Sequence, residues 1–441
     1  MALASWLSRE NTIAPATYNR WRVPPAALAV HLCIGQVYAF SVFNLPLSQV
    51  IGIDHSASND WSLTDIGWIF SLAAVFLGIA AAFGGRWLET VGPRKAMAVS
   101  AVCFGGGLVI ASIGVSLHQL WLVYLGYGVI SGIGLGIGYI SPVSTLIKWF
   151  PDRPGLATGL AIMGFGGGAM LGAPLSVALM DYFATPESVG VAPTFLVMGV
   201  LYFLLMIYAA YLVKVPPIDW HPKNFVAKKS FSPSKGVDMH DAMFTPQFWL
   251  LWIVLCFSVT AGVGVLGQAS LMIQEIFGST VTVAAAAGFV GLLSLFNMAG
   301  RFLWASASDY LGRKVTFTIF LFLGAVLYAL VPGIGLSGNL FLFIAAYALI
   351  ISMYGGSFAT IPAYLRDVFG VKHVGAIHGR LLTAWSVAGV LGPVLINYLR
   401  EYQLCIGVPP VEAYSLTFYI MAGLLVIGFI ALIFVKPVQQ E

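Results

Sequence analysis

The sequence predicts an all-α membrane protein with twelve transmembrane helices arranged as two six-helix bundles. Of its 441 residues, 59% are hydrophobic and only 9% are charged, whereas soluble domains carry about 25% charged residues. A helix needs about 20 apolar residues to cross a bilayer, and windows of that kind recur along the whole chain. One long polar stretch, residues 214–245, separates the first six windows from the last six.

The predicted spans are joined by short polar connections. They cover residues 26–46, 63–86, 96–116, 119–147, 155–180, 193–213, 247–273, 281–305, 315–334, 338–365, 374–399 and 414–436. From these spans we expect five regions: an N-terminal segment 1–25, an N-terminal bundle 26–213, a linker 214–245, a C-terminal bundle 246–436 and a tail 437–441.

The distribution of basic residues predicts the orientation. Placing both termini in the cytosol puts 19 of the 21 Lys and Arg residues on that side, all except Arg301 and Arg400. Arg301 lies within a span, and Arg400 lies in the last outer loop. Because short cytosolic loops collect Lys and Arg, this bias predicts a multi-pass protein of the inner (plasma) membrane with both termini in the cytosol.

The composition also argues against several classes of protein. The basic residues are scattered over loops rather than gathered in one patch, which argues against nucleic-acid binding. The cysteines have neither metal nor redox spacing and are interpreted as core residues; they are Cys33, Cys103, Cys256 and Cys405. No embedded nucleophile, base or metal cluster stands out, so we expect neither an enzyme nor a bound metal or cofactor.

The two halves of the chain repeat one another. A shift of 220 residues superposes Pro142 on Pro362, Gly155 on Gly375, Gly159 on Gly379, Gly172 on Gly392, Glu89 on Asp309 and Gly92 on Gly312. Parallel repeats are related by an axis along the membrane normal, and substrate sites lie between them. We therefore expect the functional site at the interface of the two bundles.

Two matched loops join helices 2 and 3 and helices 8 and 9. They read Gly85-Arg-Trp-Leu-Glu89-Thr-Val-Gly92-Pro93-Arg94-Lys95 and Ala305-Ser-Ala-Ser-Asp309-Tyr-Leu-Gly312-Arg313-Lys314. In each, an acid ends a helix, a glycine permits a tight reversal and basic residues follow. The acid can pair across the bundle, so the pattern predicts a conformational latch, with ordinary loop chemistry as the alternative. Its candidate residues are Gly85, Glu89, Gly92, Arg94, Asp309, Gly312 and Arg313.

These loops resemble the signature of the major facilitator superfamily, with Glu89, Pro93 and Ala305 as departures from it. Three further segments are similar to the oxalate/formate antiporter family, which is related to the monocarboxylate transporters: residues 34–43, 136–168 and 382–393. The Asn297-x-x-x-Arg301 spacing resembles both groups. The resemblance covers residues 20 to 436 and implies the major facilitator fold and secondary active transport of small carboxylate anions by alternating access.

Arg301 is the residue on which the functional interpretation depends. It lies in a run that is apolar from about Val281, and an arginine in hydrocarbon costs roughly 2.5–3.5 kcal/mol on insertion scales. Intramembrane charges usually serve a function, while snorkelling to the headgroups near Asp309 is the alternative. The resemblance implies that Arg301 binds the substrate carboxylate, with Asn297 one turn earlier.

Position 385 decides which anion the resemblance implies. The oxalate-exchanging members carry a lysine after the Thr-Ala pair of helix 11, whereas this chain has Trp385 after Thr383 and Ala384. A single buried cation neutralises one carboxylate, and a second charge in low dielectric would lack a partner. We therefore favour a monocarboxylate of the pyruvate, lactate or formate type over oxalate. Arg380 could add a cation only by reaching inward, and snorkelling at a helix end is commoner.

Other polar and aromatic residues are candidates for the lining of the site. Phenol and amide groups suit carboxylate oxygens, although interhelical hydrogen bonds or interfacial aromatics would explain the same residues. The candidates are Tyr38, Gln36, Tyr139, Tyr354 and Trp385, the last as an apolar wall. His31 could carry a proton, but packing near a helix end is the more common role.

The sequence leaves the coupling of transport open. We expect no Asp or Glu at the centre of a span, and Asn297 stands where some monocarboxylate carriers have an aspartate. Anion exchange therefore fits better than proton symport, which would depend on His31. A membrane sensor that binds without transporting is a further alternative, although a linker of about 32 residues is too short for a signalling domain. The expected partners are a small carboxylate anion and the lipid bilayer, with a monomer as the functional unit.

Overall fold

The computed structural model describes residues 6–15, 17–217, 220–222 and 237–436. Within these ranges the protein is almost entirely helical, and twelve helices are long and apolar enough to cross a membrane. The predicted all-α fold with twelve spans is confirmed. Most of the predicted linker and the tail, residues 218–219, 223–236 and 437–441, lie outside the described residues.

We number the spanning helices α1 to α12 in chain order. Their bounds are Arg20–Leu47 (α1), Leu63–Val91 (α2), Pro93–Ser116 (α3), Leu120–Trp149 (α4), Pro154–Phe183 (α5), Val191–Leu212 (α6), Pro246–Phe277 (α7), Val283–Leu311 (α8), Arg313–Leu336 (α9), Leu340–Phe369 (α10), Val374–Cys405 (α11) and Ser415–Phe434 (α12). A short helix, Met239–Met243, precedes α7. We call the side at which α1 begins and α12 ends the terminal face.

The second helix of each half begins with the same kind of cap. The Ser62 hydroxyl accepts a hydrogen bond from the Asp65 N–H at 3.1 Å at the start of α2. The Thr282 hydroxyl accepts one from the Ala285 N–H at 3.2 Å at the start of α8. Such caps satisfy backbone donors that no helical carbonyl reaches. Because Ser62 and Thr282 are 220 positions apart, the caps are equivalent in the internal repeat.

Each half also reverses direction at a glycine after its second helix. Gly92 has φ +85° and Gly312 has φ +89°, a region of backbone space that glycine enters without steric cost. The turn lets α3 and α9 begin at the next residue. These two positions again lie 220 residues apart, so the repeat read from the sequence is also a repeat of backbone geometry.

Three helices depart from regular α geometry. Gly35–Phe43 of α1 is 3-10 helix, Tyr124–Ser131 of α4 is π-helix, and α11 is interrupted at Leu382. At the first departure, a Cβ on Gly35 would lie 2.4 Å from the Phe165 carbonyl oxygen of α5. Close approach of membrane helices needs small residues of this kind, and here it fixes α1 against α5.

The two halves meet through α5 against α8 and through α2 against α11. In the first pair, a Cβ on Gly155 would lie 2.1 Å from the Ala305 carbonyl oxygen. In the second, a Cβ on Gly85 would lie 2.6 Å from the Ala376 Cα atom. Gly85 and Ala305 are 220 positions apart and are therefore equivalent in the repeat. Each of them makes the close contact between halves on its own side. Both contacts lie at the terminal face, where the halves are therefore closed on each other.

Candidate functional site

Arg301 lies on α8 at the interface between the halves and is fully buried, with 0% of its surface exposed. Its Nε donates a hydrogen bond to Asn297 Oδ1 at 2.9 Å, one helical turn earlier. Its Nη1 reaches the Ile162 carbonyl of α5 at 3.5 Å, which is long for a hydrogen bond. Its Nη2 has no hydrogen-bond partner among the described residues. The guanidinium thus keeps donor capacity free in a buried place, which suits an anionic ligand.

Three aromatic rings surround the guanidinium. Its Cζ lies 6.0 Å from the centre of the Tyr38 ring, 5.5 Å from that of Phe165 and 5.1 Å from that of Phe358. These distances lie within the range of cation–π attraction, which lowers the cost of keeping the cation away from water. The rings come from α1, α5 and α10, so both halves contribute to the enclosure.

A tyrosine pair also bridges the halves beside Arg301. The Tyr38 hydroxyl of α1 and the Tyr354 hydroxyl of α10 are 3.2 Å apart and share a hydrogen bond. Trp385 of α11 is 2% exposed, and its ring centre lies 6.4 Å from that of Phe358. The structure therefore brings five of the predicted substrate-binding residues to one place: Arg301, Asn297, Tyr38, Tyr354 and Trp385.

A second group of polar side chains also packs near Phe165. Tyr139 of α4 has its ring centre 5.3 Å from Phe165, 5.4 Å from His31 and 5.8 Å from His378. These three residues are 2%, 0% and 1% exposed respectively. The Tyr139 hydroxyl and His378 Nε2 make no hydrogen bond among the described residues. We name Tyr139, His31 and His378 the buried triad.

Two of the residues considered from the sequence lie elsewhere. Gln36 accepts a hydrogen bond from the Tyr127 hydroxyl at 3.2 Å and packs on Gly172, entirely within the N-terminal half. Arg380 contacts the Met243 sulfur in the short helix before α7, at the terminal face. Sequence reasoning missed Phe165 and Phe358, because apolar and aromatic residues surround most spans and carry no distinguishing pattern. His378 stands out as a histidine near a span, but its sequence context indicated no role for it.

The acid of the second matched loop joins the halves at the terminal face. Asp309 accepts hydrogen bonds from the Gly155 N–H at 2.8 Å and from the Leu156 N–H at 2.9 Å, in the first turn of α5. Arg313 donates to Asp309 and, through Nε, to Asp367 of α10 at 3.1 Å. A carboxylate at a helix N-terminus is stabilised by unpaired N–H groups and the helix dipole.

The acid of the first loop makes the equivalent contact with α11. Glu89 lies 3.4 Å from the Ala376 N–H, and Ala376 is 220 positions after Leu156. His373 Nδ1 lies 2.9 Å from the other Glu89 oxygen, and His373 Nε2 lies 3.7 Å from Asp238. The backbone N–H of His240 lowers the pKa of the Asp238 carboxyl. A histidine therefore stands between two carboxylates at this contact.

One basic residue after each loop binds the end of the last helix in its own half. Arg94 donates to the Tyr211 and Val213 carbonyls at 3.2 and 3.1 Å, at the end of α6. Lys314 donates to the Ile433 and Val435 carbonyls at 2.7 and 3.1 Å, at the end of α12. Both cations thus satisfy carbonyls at a helix C-terminus. Arg94, expected in the latch, is placed at the last helix of its own half.

Comparison with known proteins agrees with this architecture. The model of the major facilitator superfamily matches residues 26–393 and 297–441. The chain belongs to the major facilitator superfamily. The resemblance to this superfamily that the matched loops indicated is therefore confirmed.

Relatives of this superfamily member include transporters of known cargo. It is 29% identical to the oxalate:formate antiporter of Oxalobacter formigenes, over 85% of this chain and 83% of that protein. It is 26% identical to the MFS-type transporter YhjX of Escherichia coli K12, over 86% of this chain and 88% of that protein. It is 24% identical to apicoplast pyruvate carrier 1 of Toxoplasma gondii, over 72% of this chain and 66% of that protein. The predicted kinship with the oxalate/formate antiporters is confirmed.

A solved structure shows the same fold. The human organic anion transporter MFSD10 (TETRAN) superposes with a TM-score of 0.68 and 14% identity, over 94% of this chain and 100% of that one. The relatives and structural neighbours are membrane transporters rather than enzymes. This chain is accordingly a multi-pass transporter of the major facilitator superfamily.

Proposed function

We propose that the protein moves a small monocarboxylate anion across the membrane by alternating access, with Arg301 as the group that binds the carboxylate. The observation that carries the proposal is the buried guanidinium between the two halves, which retains an unpaired Nη2. Among the described residues no carboxylate pairs with it, and Asn297 contacts its Nε instead. An anion from solution would supply the missing charge and accept the free N–H groups.

One cation in the enclosure favours one negative charge on the substrate. Tyr38, Tyr354 and Trp385 line the enclosure, and none of them carries a positive charge. A dianion would leave its second carboxylate desolvated and unpaired, which is costly in low dielectric. Names of the relatives support small carboxylates in general, since they include an oxalate:formate antiporter and a pyruvate carrier. The proposed cargo is thus of the pyruvate, lactate or formate type.

Exchange of one anion for another follows from the same residue. With the site empty, Arg301 is a buried cation without a counter-charge, so passage through a closed intermediate is unfavourable. A bound carboxylate removes that penalty, and the loaded protein changes conformation more readily. Proton-coupled symport is the alternative. It is favoured by the burial of His31, a candidate proton carrier, near the site. A pH electrode in the proteoliposome medium separates them, because only symport removes protons from the medium during uptake.

We further propose the placement of the molecule in the cell. The bias of Lys and Arg toward one side puts the terminal face in the cytosol of the inner (plasma) membrane. The contacts of Asp309 and Glu89 would then form a latch on the cytosolic side. Two halves, 26–213 and 246–436, would move about the linker 214–245, with one chain as the transport unit, because residues of a single chain complete the enclosure.

Counterflow in proteoliposomes tests the proposal. Vesicles loaded with unlabelled pyruvate, lactate or formate should take up the labelled monocarboxylates, and vesicles loaded with oxalate should take up much less. Arg301→Gln should reduce that uptake by about 100-fold, since removing one side of a buried charge pair is expensive. The matched control is Arg380→Gln, because Arg380 contacts Met243 at the terminal face and should leave uptake within about twofold. Parent-like uptake of all four acids by Arg301→Gln at equal membrane expression would overturn the proposal.

A further inference from the structure

We propose that the buried triad is a second substrate subsite, which hydrogen-bonds an uncharged oxygen on the transported anion. The cargo would then be an oxo- or hydroxy-substituted monocarboxylate rather than a bare one. The inference rests on the proposed function, because Arg301 must bind the carboxylate while the triad hydrogen-bonds a second oxygen of the same acid.

The triad is assembled from helices of both halves. His31 comes from α1, Tyr139 from α4 and His378 from α11, and the ring of Tyr139 lies between those of the two histidines. Phe165 is shared with the cation, since its ring centre lies 5.3 Å from that of Tyr139 and 5.5 Å from the Arg301 Cζ. Arg301 and the triad are therefore both next to the same aromatic ring.

Several polar atoms of the triad are buried and have no hydrogen-bond partner among the described residues. His31 Nδ1 contacts the Ala27 carbonyl at 3.1 Å, while its Nε2 is directed at the Tyr139 backbone carbonyl without a hydrogen bond of normal geometry. The Tyr139 hydroxyl and His378 Nε2 also lack partners among the described residues. Buried polar groups in proteins are nearly always hydrogen-bonded. Three such groups on rings in contact, near an arginine with an unpaired Nη2, are typical of a site that a ligand completes.

Charge decides what kind of oxygen the triad accepts. Arg301 already places a positive charge within electrostatic range of His31 and Tyr139, and no carboxylate among the described residues contacts either histidine. An imidazolium would be a second unpaired buried cation, so both imidazoles are neutral here. A neutral imidazole offers one N–H and one lone pair, and a phenol offers one of each. These groups match a carbonyl or hydroxyl oxygen and cannot balance a second carboxylate.

Competition among acids of equal length tests the inference. Propionate has the same three carbons and carboxylate as pyruvate and lactate but lacks the second oxygen. In counterflow of labelled pyruvate, unlabelled pyruvate or lactate should half-inhibit at a roughly tenfold lower concentration than propionate, which is the effect of one buried hydrogen bond. The better competitor of the two identifies a carbonyl or a hydroxyl oxygen.

Variants assign the discrimination to the triad. Tyr139→Phe and His378→Phe should bring the ratio of half-inhibiting concentrations to within about twofold of one, while propionate keeps its parent value. Tyr347→Phe is the matched control, because Tyr347 is buried on α10 and its hydroxyl contacts Met272 within the C-terminal half. It should keep the parent ratio. If a triad variant does not transport, the acids are compared in purified protein instead. The comparison then uses the concentration of each acid that gives half of its maximal rise in Tm.

Failure of the inference and failure of the proposed function look different. The inference is overturned if propionate competes as well as pyruvate and lactate, if formate is exchanged while neither of them is, or if both triad variants keep the parent ratio. The proposed function is overturned instead if the parent exchanges no carboxylate, or if Arg301→Gln exchanges them normally.

Discussion

Pro93 of the N-terminal half occupies the position that Arg313 occupies in the C-terminal half, 220 residues later. Arg313 pairs with Asp309, the acid of its own loop. The equivalent acid, Glu89, has no arginine at that position and instead contacts His373 of the opposite half at 2.9 Å. The two contacts at the terminal face are therefore equivalent in backbone geometry and different in charge. Mutations can for this reason separate their contributions to closure of that face.

The contact of Asp309 with α5 should hold the terminal face closed. Asp309→Asn removes the charge that interacts with the Gly155 and Leu156 N–H groups, and charge-assisted hydrogen bonds at a helix N-terminus are about twice as strong as neutral ones. We expect the open form of this face to gain about tenfold in population. Spin labels at the exposed residues Arg153 and Tyr310 report it as a longer distance. An unchanged distance distribution would show that Asp309 does not stabilise closure.

The contact of Glu89 with His373 should depend on a cation at position 373. His373→Arg supplies a permanent charge to Glu89 and Asp238 and should keep the face closed, whereas His373→Ala should open it by a few-fold, because partly exposed pairs contribute modestly. Labels at the exposed residues Thr90 and Lys372 measure the change. Equal behaviour of the two variants would contradict the role given to charge here.

Gly155 should tolerate no side chain. A Cβ there would lie 2.1 Å from the Ala305 carbonyl oxygen, and backbone cannot yield as a flexible side chain does. We expect Gly155→Ala to reduce counterflow by more than about tenfold through incomplete closure. Gly106→Ala on α3 is the control, because nothing lies within 4 Å of that Cβ, and it should transport normally. Full activity of Gly155→Ala would mean that the helices do not approach this closely during transport.

Trp385→Lys should change the preferred charge of the cargo. The lysine would place a second cation near Phe358 and Tyr354, where a dianion could pair both of its carboxylates. Oxalate should then inhibit counterflow at a roughly tenfold lower concentration than in the parent, and monocarboxylates should inhibit less well. The experiment compares the two sets of half-inhibiting concentrations. Unchanged inhibition by oxalate would show that position 385 does not set the charge preference.

Sequence patterns predicted well those features that depend on local composition. Apolar windows located the spans, and the predicted end of α8 at residue 305 differs from the observed end at Leu311 because its last turn is polar. The 220-residue repeat predicted the equivalence of Glu89 and Asp309, which both contact the N-terminus of a helix in the other half. Arg301 stood out because a charge within an apolar run is conspicuous wherever it points.

By itself, the sequence determined the number of spans, the internal repeat and the cation within the eighth span, since hydropathy and charge are properties of short windows. Tertiary structure alone decided the neighbours of that cation. Membrane helices are apolar on most of their circumference, so periodicity does not reveal which face meets the other half. Packing of α1, α4, α5 and α11 brought His31, Tyr139, Phe165 and His378 together, and sent Gln36 and Arg94 into contacts within the N-terminal half. Contacts between residues more than 200 positions apart follow from helix rotation and closure of the halves, which no local pattern encodes.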